Sequence, residues 1–394
     1  MHFTEHPFWS YAFRPLYLLA AIYGAISVLL WAFGYQGTAT LPSWLWHAHE
    51  MIWGYAGAIV VAFLLTAVAT WTQQPPTQGK ILIILTLLWL AARISAFFPH
   101  HIFSAVFGTL FYVLAAVCMA KSVWQTRNTR NYLPAFALFL FGALHAAFHL
   151  CLALNLHENL HNGLLAGLLM VAAFIGLVGT RIISFFTAKR LGTQQVPTSP
   201  KLALTALLLP MVSAVLLFHQ ILLPVAAVCS IAAGVLAGVQ GMRWWQKGVL
   251  KEPLLWVLHL GYAFTALGLI VMGAALWLPA YLSMGVHLIA VGGIGLLTVG
   301  MMTRTALGHT GRPLYPCPKP MPLAFVLMAL AAVFRTVAAL LIQVSPTGYQ
   351  HSLRLAAVLF AASLLLFAWR YLPWLISERA DGSSKTSGVL KIIR

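Results

Sequence analysis

Several of the 15 histidines in this 394-residue chain lie inside long apolar segments, where an ionisable side chain costs free energy. His145 and His149 are four residues apart, so on a helix they share one face and can bind one ion. His47 and Glu50 are three apart and also share a face, with His49 between them. Because neutral imidazole is a common ligand of copper and of haem iron, these spacings predict a metal or haem site.

Two arginines add to this pattern. Arg335 falls near the middle of one apolar segment, and Arg93 falls near the end of another. Each needs an anion or a set of carbonyls; haem propionates would serve, and so would Glu50. Structural alternatives stay open, because a lone histidine in a membrane often only donates a hydrogen bond between helices, and an arginine can form an ion pair or extend to the interface.

The composition places most of the chain in lipid. Hydrophobic residues make up 61% and charged residues 7%, against roughly 25% charged in soluble domains. The mean hydropathy is +0.89. A formal net charge of +17 would suit nucleic acid only if the basic residues clustered on a soluble surface, and here they lie in short loops between apolar runs. The sequence therefore predicts a bilayer environment and no nucleic-acid partner.

Apolar runs long enough to cross a bilayer predict an all-α polytopic membrane protein of about twelve transmembrane helices. The predicted spans are 16–34, 46–70, 81–98, 102–123, 133–154, 162–186, 202–218, 222–241, 254–277, 282–302, 321–343 and 352–371. Residues 1–380 form a single transmembrane domain in this prediction, and residues 381–394 form a flexible cytoplasmic tail.

Lysine and arginine are distributed unequally between the two sides of these spans. With the N-terminus inside, most of the 23 basic residues fall in inner loops and at the termini, and the outer loops hold none. The positive-inside rule thus predicts that both termini are cytoplasmic. In this topology His287, at the start of span ten, shares the outer half of the membrane with the histidines of spans two and five.

The shared depth suggests a set of haem-binding residues. His49 and His287 are the first candidates for haem ligands, and His47 is the alternate on span two. His259, in the inner half of span nine, and Arg335 complete this predicted set. The chain has no CxxCH motif, so covalent attachment of a c-type haem is not expected.

The spacing in span five suggests a second site. His145 and His149 are predicted to bind copper, with His161 at the start of span six as a third ligand. Glu50 and Arg93 are predicted to support the sites by charge. The competing hypothesis is that the pair in span five binds a second haem instead.

Several motifs resemble the NnrS family. They are FRP at Phe13–Pro15, WHAHEM at Trp46–Met51, LHLGY at Leu258–Tyr262 and MTRTALGHTGRP at Met302–Pro313. The resemblance covers nearly the whole chain. One departure is the segment 71–76, where many members have a glycine and an arginine before the prolines.

The resemblance implies a haem- and copper-containing protein of the bacterial inner membrane. Such proteins are tied to denitrification, nitric oxide and nitrosative stress, with nitric oxide or nitrosyl species as their ligands. Whether the family catalyses turnover stays open, and so does the electron donor, which would be a partner or quinol.

A four-span repeat is also visible. Spans two and ten carry histidines at their outer ends, and span six has one at its mouth. Spans six and ten both end with Thr-Arg, at Thr180-Arg181 and Thr303-Arg304. Three four-helix units, as in the catalytic subunit of haem-copper oxidases, would explain this repeat, by fold-level analogy only.

Two other functions compete with a haem–copper protein. Twelve spans are common in membrane transporters, although broken helices and a repeat in two halves are not evident here. A sensor or assembly factor that handles haem or metal without catalysis is the second alternative. A visible spectrum with metal analysis separates these hypotheses best.

Overall fold

The structure, a computed structural model, describes residues 3–382. Within these residues twelve helical segments overlap the twelve predicted spans, and no β-strand is formed. These segments, α1 to α12, are Phe13–Ala32, Ser43–Thr72, Gly79–Ser95, His101–Gln125, Tyr132–Ala153, His157–Leu191, Pro200–Leu216, Leu223–Trp244, Pro253–Ala275, Pro279–His309, Pro320–Leu341 and Pro346–Ile376. Most of the predicted cytoplasmic tail, 383–394, lies outside the described residues.

The helices have the lengths that a bilayer requires. Ten are long and apolar enough to cross a membrane. The other two, α3 and α7, have 17 residues each, or about 26 Å of helix, close to the ~30 Å of a hydrocarbon core. α6 and α12 are longer than their predicted spans. The spans were predicted from apolar residues alone, and both helices continue into polar residues at their ends. The prediction of an all-α polytopic fold is confirmed.

Consecutive helices contact one another around the bundle, and α12 contacts α1. The outer surface is apolar: Ile84, Val228 and Leu330 are 50%, 58% and 41% exposed. Such a surface suits lipid, in which helices satisfy their own backbone hydrogen bonds.

Helices α2, α6 and α10 lie toward the centre of the bundle. The apolar part of α6 is 89% buried, compared with 33% for α8. Tyr55 of α2 and Thr298 of α10 share a hydrogen bond of 2.7 Å between their hydroxyl groups. Gly167 of α6 lies so close to Trp53 of α2 that an added Cβ would be 2.8 Å from its ring. These three helices, which contact one another, are four apart in chain order.

Two of these central helices contain π-helical turns. The turns run over Glu50–Ala56 in α2 and Leu288–Gly295 in α10. Each begins directly after a histidine, His49 or His287. A π-helical turn changes the direction of the side chains that follow it and is frequent at functional sites. The π-helical turns therefore lie next to His49 in α2 and His287 in α10.

Candidate metal centre and the adjoining cavity

The histidines of α2 point to opposite sides of the helix. His47 and His49 are two residues apart, which is about 200° of rotation on an α-helix. His47 stacks on Trp31 of α1, with ring centroids 3.9 Å apart and planes 12° apart. His49 faces α5 instead, where its ring centroid is 5.2 Å from that of His145. One short segment therefore directs a histidine to each side of α2.

His49, His145 and His149 form a buried cluster, the histidine triad. One ligand atom from each of the three lies within 4.8 Å of the other two. The Nε2 atoms of His49 and His149 are 3.1 Å apart. None of the three residues is more than 3% exposed. Three converging imidazole nitrogens away from water are a donor set for a transition metal such as copper, zinc or iron.

A network of charged and polar side chains contacts His49 at Nδ1, the ring nitrogen that does not face His149. Glu50 Oε1 is 2.6 Å from His49 Nδ1. The other carboxylate oxygen, Oε2, accepts hydrogen bonds from Arg93 Nη1 and from the Tyr23 hydroxyl. Because the guanidinium keeps Glu50 ionised, His49 Nδ1 must donate its proton to the carboxylate, which leaves the lone pair on Nε2. Metal-binding histidines are commonly oriented by a carboxylate in this way.

Helix α4 supports the second member of the triad. Thr109 Oγ1 is 3.0 Å from His145 Nδ1. Gly108 allows α4 to approach the ring, since an added Cβ would lie 2.5 Å from His145 Cε1. His145 Nε2 and His149 Nδ1 are buried and have no hydrogen-bond partner among residues 3–382. Buried polar atoms are nearly always satisfied, so these two nitrogens remain available to a ligand.

A cavity of about 310 Å³ lies on the other side of α2, enclosed mainly by α1, α2, α10, α11 and α12. His47, His287 and Arg335 line it, and most of its remaining wall is apolar or aromatic. His287 Nδ1 lies 2.7 Å from the Ser283 carbonyl oxygen, to which it donates, so its Nε2 carries the lone pair. His47 Nδ1 and Arg335 Nη1 are buried without a hydrogen-bond partner in the described part of the chain.

This set of groups fits a haem. Cofactor pockets are mostly apolar, with a few polar groups that fix the orientation of the ligand. A free imidazole nitrogen is the usual axial ligand of haem iron. A buried guanidinium binds carboxylates such as propionates through charge-assisted hydrogen bonds. Arg335 Nη1, which is unpaired within residues 3–382, is available for such a bond.

The structure groups the predicted ligands in a particular way. His49 lies with His145 and His149, the predicted copper pair, and not with His287, its predicted haem partner. His47, the alternate of span two, lines the cavity with His287 and Arg335. Arg93 pairs with Glu50, one of the two anions considered for it.

Two predicted residues lie apart from both groups. His161 is exposed at the start of α6, where the nearest aromatic ring contact is with Trp44, at 6.2 Å. His259 shares a 2.9 Å hydrogen bond with Thr187 of α6 and contacts Trp245. Neither belongs to the triad, and neither lines the cavity beside α2.

Cysteine thiolates do not complete either site. The four cysteines are free, and none joins the histidine triad within the described residues. In the segment between α10 and α11, burial raises the pKa of the Cys317 thiol to about 12, so this thiol stays protonated at neutral pH.

Three residues that contact the candidate ligands or Glu50 were not predicted from the sequence. Tyr23 donates to Glu50, Thr109 contacts His145, and Trp31 stacks on His47. Tyrosine, threonine and tryptophan are common in membrane helices, so nothing in their type or spacing distinguishes these positions. Each comes from a helix other than the one that carries its partner, and only the packing of the helices brings them together.

Comparison with known proteins agrees with this architecture. No curated protein matches the chain. The NnrS protein family matches residues 7–379, from before α1 to just beyond α12. The match includes every residue of the histidine triad and of the cavity. The chain therefore belongs to the NnrS family of membrane proteins.

Proposed function

We propose that this protein binds copper in the histidine triad and haem b in the adjoining cavity, and that it acts on nitric oxide or nitrosyl species. The observation that carries the proposal is the position of α2 between the two sites, with His49 in one and His47 in the other. The family implies both cofactors, and each site has unpaired buried atoms suited to one of them.

The triad favours copper because its ligands are all imidazoles. The Irving–Williams order places copper above the other first-row divalent metals at such a site. Glu50 and Arg93 cancel each other's charge, so the three neutral rings and the ion pair add no net charge around the metal. Glu50 orients His49, and Thr109 orients His145.

In the cavity, His287 would hold the haem through its iron and Arg335 would bind its propionates. His47, held flat against Trp31, offers a second imidazole on the same cavity. When bound, haem supplies an iron that binds nitric oxide, and copper supplies one-electron redox chemistry. The apolar wall of the cavity excludes water and admits a small apolar ligand such as nitric oxide.

The most direct test uses the purified protein in detergent. The proposal predicts a Soret band and about one copper per chain, and a Soret band that shifts when nitric oxide is added. The variant His287→Ala should lose or shift the Soret band while it retains copper. A colourless and metal-free wild-type protein would contradict the proposal and favour a transporter.

We also propose that the protein lies in the bacterial inner membrane with both termini in the cytoplasm, since the basic residues fall on one side. Reporter fusions at Arg127, Lys189 and Lys247 should then report cytoplasm, and a fusion at Asn155 should report periplasm. A single reversal among the four would contradict this topology.

A further inference from the structure

A groove leads from the surface of the bundle to the histidine triad. It lies between α4 and α5, has a volume of about 420 Å³, and is lined by His101, Thr109 and His149 among mostly apolar side chains. His149 belongs to the triad and is 3% exposed, whereas His101, the first residue of α4, is partly exposed. The groove therefore connects a buried metal ligand with an accessible histidine.

The two rings that line the groove face each other. The centroids of His101 and His149 are 5.9 Å apart, and their planes are 8° from parallel. His149 turns Nε2 toward His49, at 3.1 Å. The ring nitrogens of an imidazole point in diverging directions, so His149 Nδ1 lies away from His49. That atom is buried and has no hydrogen-bond partner in the described chain.

From this geometry we propose that His101 is the residue that first binds copper and passes it to His149, so that the groove is the route by which the triad is loaded. The inference rests on the proposed copper site. It adds a role for a residue that is not itself a ligand of the centre. A buried triad behind apolar helices needs such a route because a metal ion cannot cross a low-dielectric wall without ligands.

The neighbouring residue provides a matched control. His100 precedes His101, is exposed, and does not line the groove. A nonspecific effect of removing an imidazole from this membrane surface would therefore appear in His100→Ala as well. Ala105, which does line the groove, provides an independent variant, because Ala105→Phe narrows the route and leaves every histidine in place.

The experiment measures copper uptake by the full-length protein after its copper has been removed. Copper(I) is supplied as the bicinchoninate complex, and its transfer is followed by the loss of the colour of the complex. We expect His101→Ala and Ala105→Phe to take up copper at least tenfold more slowly than the wild type, and His100→Ala to match it. All four proteins should reach the same final copper content.

Other outcomes would overturn either the loading route or the copper site. Uptake by His101→Ala at the wild-type rate would overturn the route. A folded His101→Ala variant that holds no copper at equilibrium would also overturn it, because His101 would then be a ligand of the centre itself. A wild-type protein that takes up no copper would instead overturn the copper site, and the route with it.

Discussion

The two sites on either side of α2 differ in how closely their polar groups approach one another. In the triad, one ligand atom from each of His49, His145 and His149 lies within 4.8 Å of the other two, and side chains of Glu50 and Thr109 contact two of the rings. In the cavity, His47, His287 and Arg335 instead line an open volume of about 310 Å³. The triad is thus prepared for a small ion, and the cavity for a large ligand that brings its own polar groups.

One short segment of α2 thus contributes a histidine to each of two separate sites. The rotation of about 200° between His47 and His49 separates the sites on an ordinary helix. The π-helical turn that begins at Glu50 then changes the direction of the residues that follow. A substitution on one face of α2 should therefore affect one cofactor far more than the other.

The largest expected effect comes from breaking the charged pair behind His49. In Glu50→Gln the buried guanidinium of Arg93 loses its partner, which costs about 3–5 kcal/mol of stability for a buried pair. The thermal unfolding temperature in detergent should fall sharply, and copper should be lost. The control is Glu158→Gln, because that carboxylate is exposed. An unfolding temperature equal to that of the control would show that the pair is not structural.

On the cavity side, Arg335→Leu should weaken haem binding. Losing a hydrogen bond to a charged partner costs about 1.5–3 kcal/mol, or about tenfold to a hundredfold in affinity. Haem content, measured by the pyridine haemochrome assay, should fall while the copper content stays the same. Arg354→Leu is the control, since that side chain is exposed beside Phe33. Equal haem content in the two variants would argue against propionate binding by Arg335.

A smaller effect is expected when α4 is pushed away from the triad. The added methyl of Gly108→Ala meets the His145 ring and must displace it, and overpacking of this kind costs about 1–3 kcal/mol. Copper affinity should fall while the Soret band is unchanged. In Gly308→Ala the added Cβ meets no atom within 4 Å, so this variant should bind both cofactors normally. Equal copper affinity for the two variants would mean that the His145 ring does not need its present position.

The smallest effect should come from Thr109→Val, which keeps the shape of the side chain and removes the hydroxyl group beside His145 Nδ1. Supporting residues of this kind typically change metal affinity by about 10–100-fold, and the lower value applies because Glu50 still orients His49. Competition with a copper chelator measures the change. No change, together with a normal effect of Gly108→Ala, would assign the positioning of His145 to packing alone.

Much of the fold could be predicted from the sequence because each helix is specified locally. An apolar run between loops predicts a span whatever its neighbours are, and all twelve helices lie where such runs occur. The pair at His145 and His149 could be predicted for the same reason, since a spacing of four residues fixes a common face on any helix.

The grouping of ligands from different helices could not be predicted, because it depends on how α2 is rotated against α5. The sequence gives similar depths to His47, His49 and His287 but no distance between their helices. The π-helical turns have no clear signature in α2, although Gly292 and Gly293 in α10 supply a weak one. The sequence predicted His161, on the adjacent helix, beside His145 and His149, and the structure instead places His49 there, from a distant part of the chain.

The separation of the two sites across α2 is tested most directly by one paired measurement. Copper content and the Soret spectrum are determined for His49→Ala and His47→Ala, purified in the same way. We expect His49→Ala to lose copper and keep its haem spectrum, and His47→Ala to keep copper and show a changed haem spectrum. Loss of haem with full copper in His49→Ala, or identical changes in both variants, would contradict it.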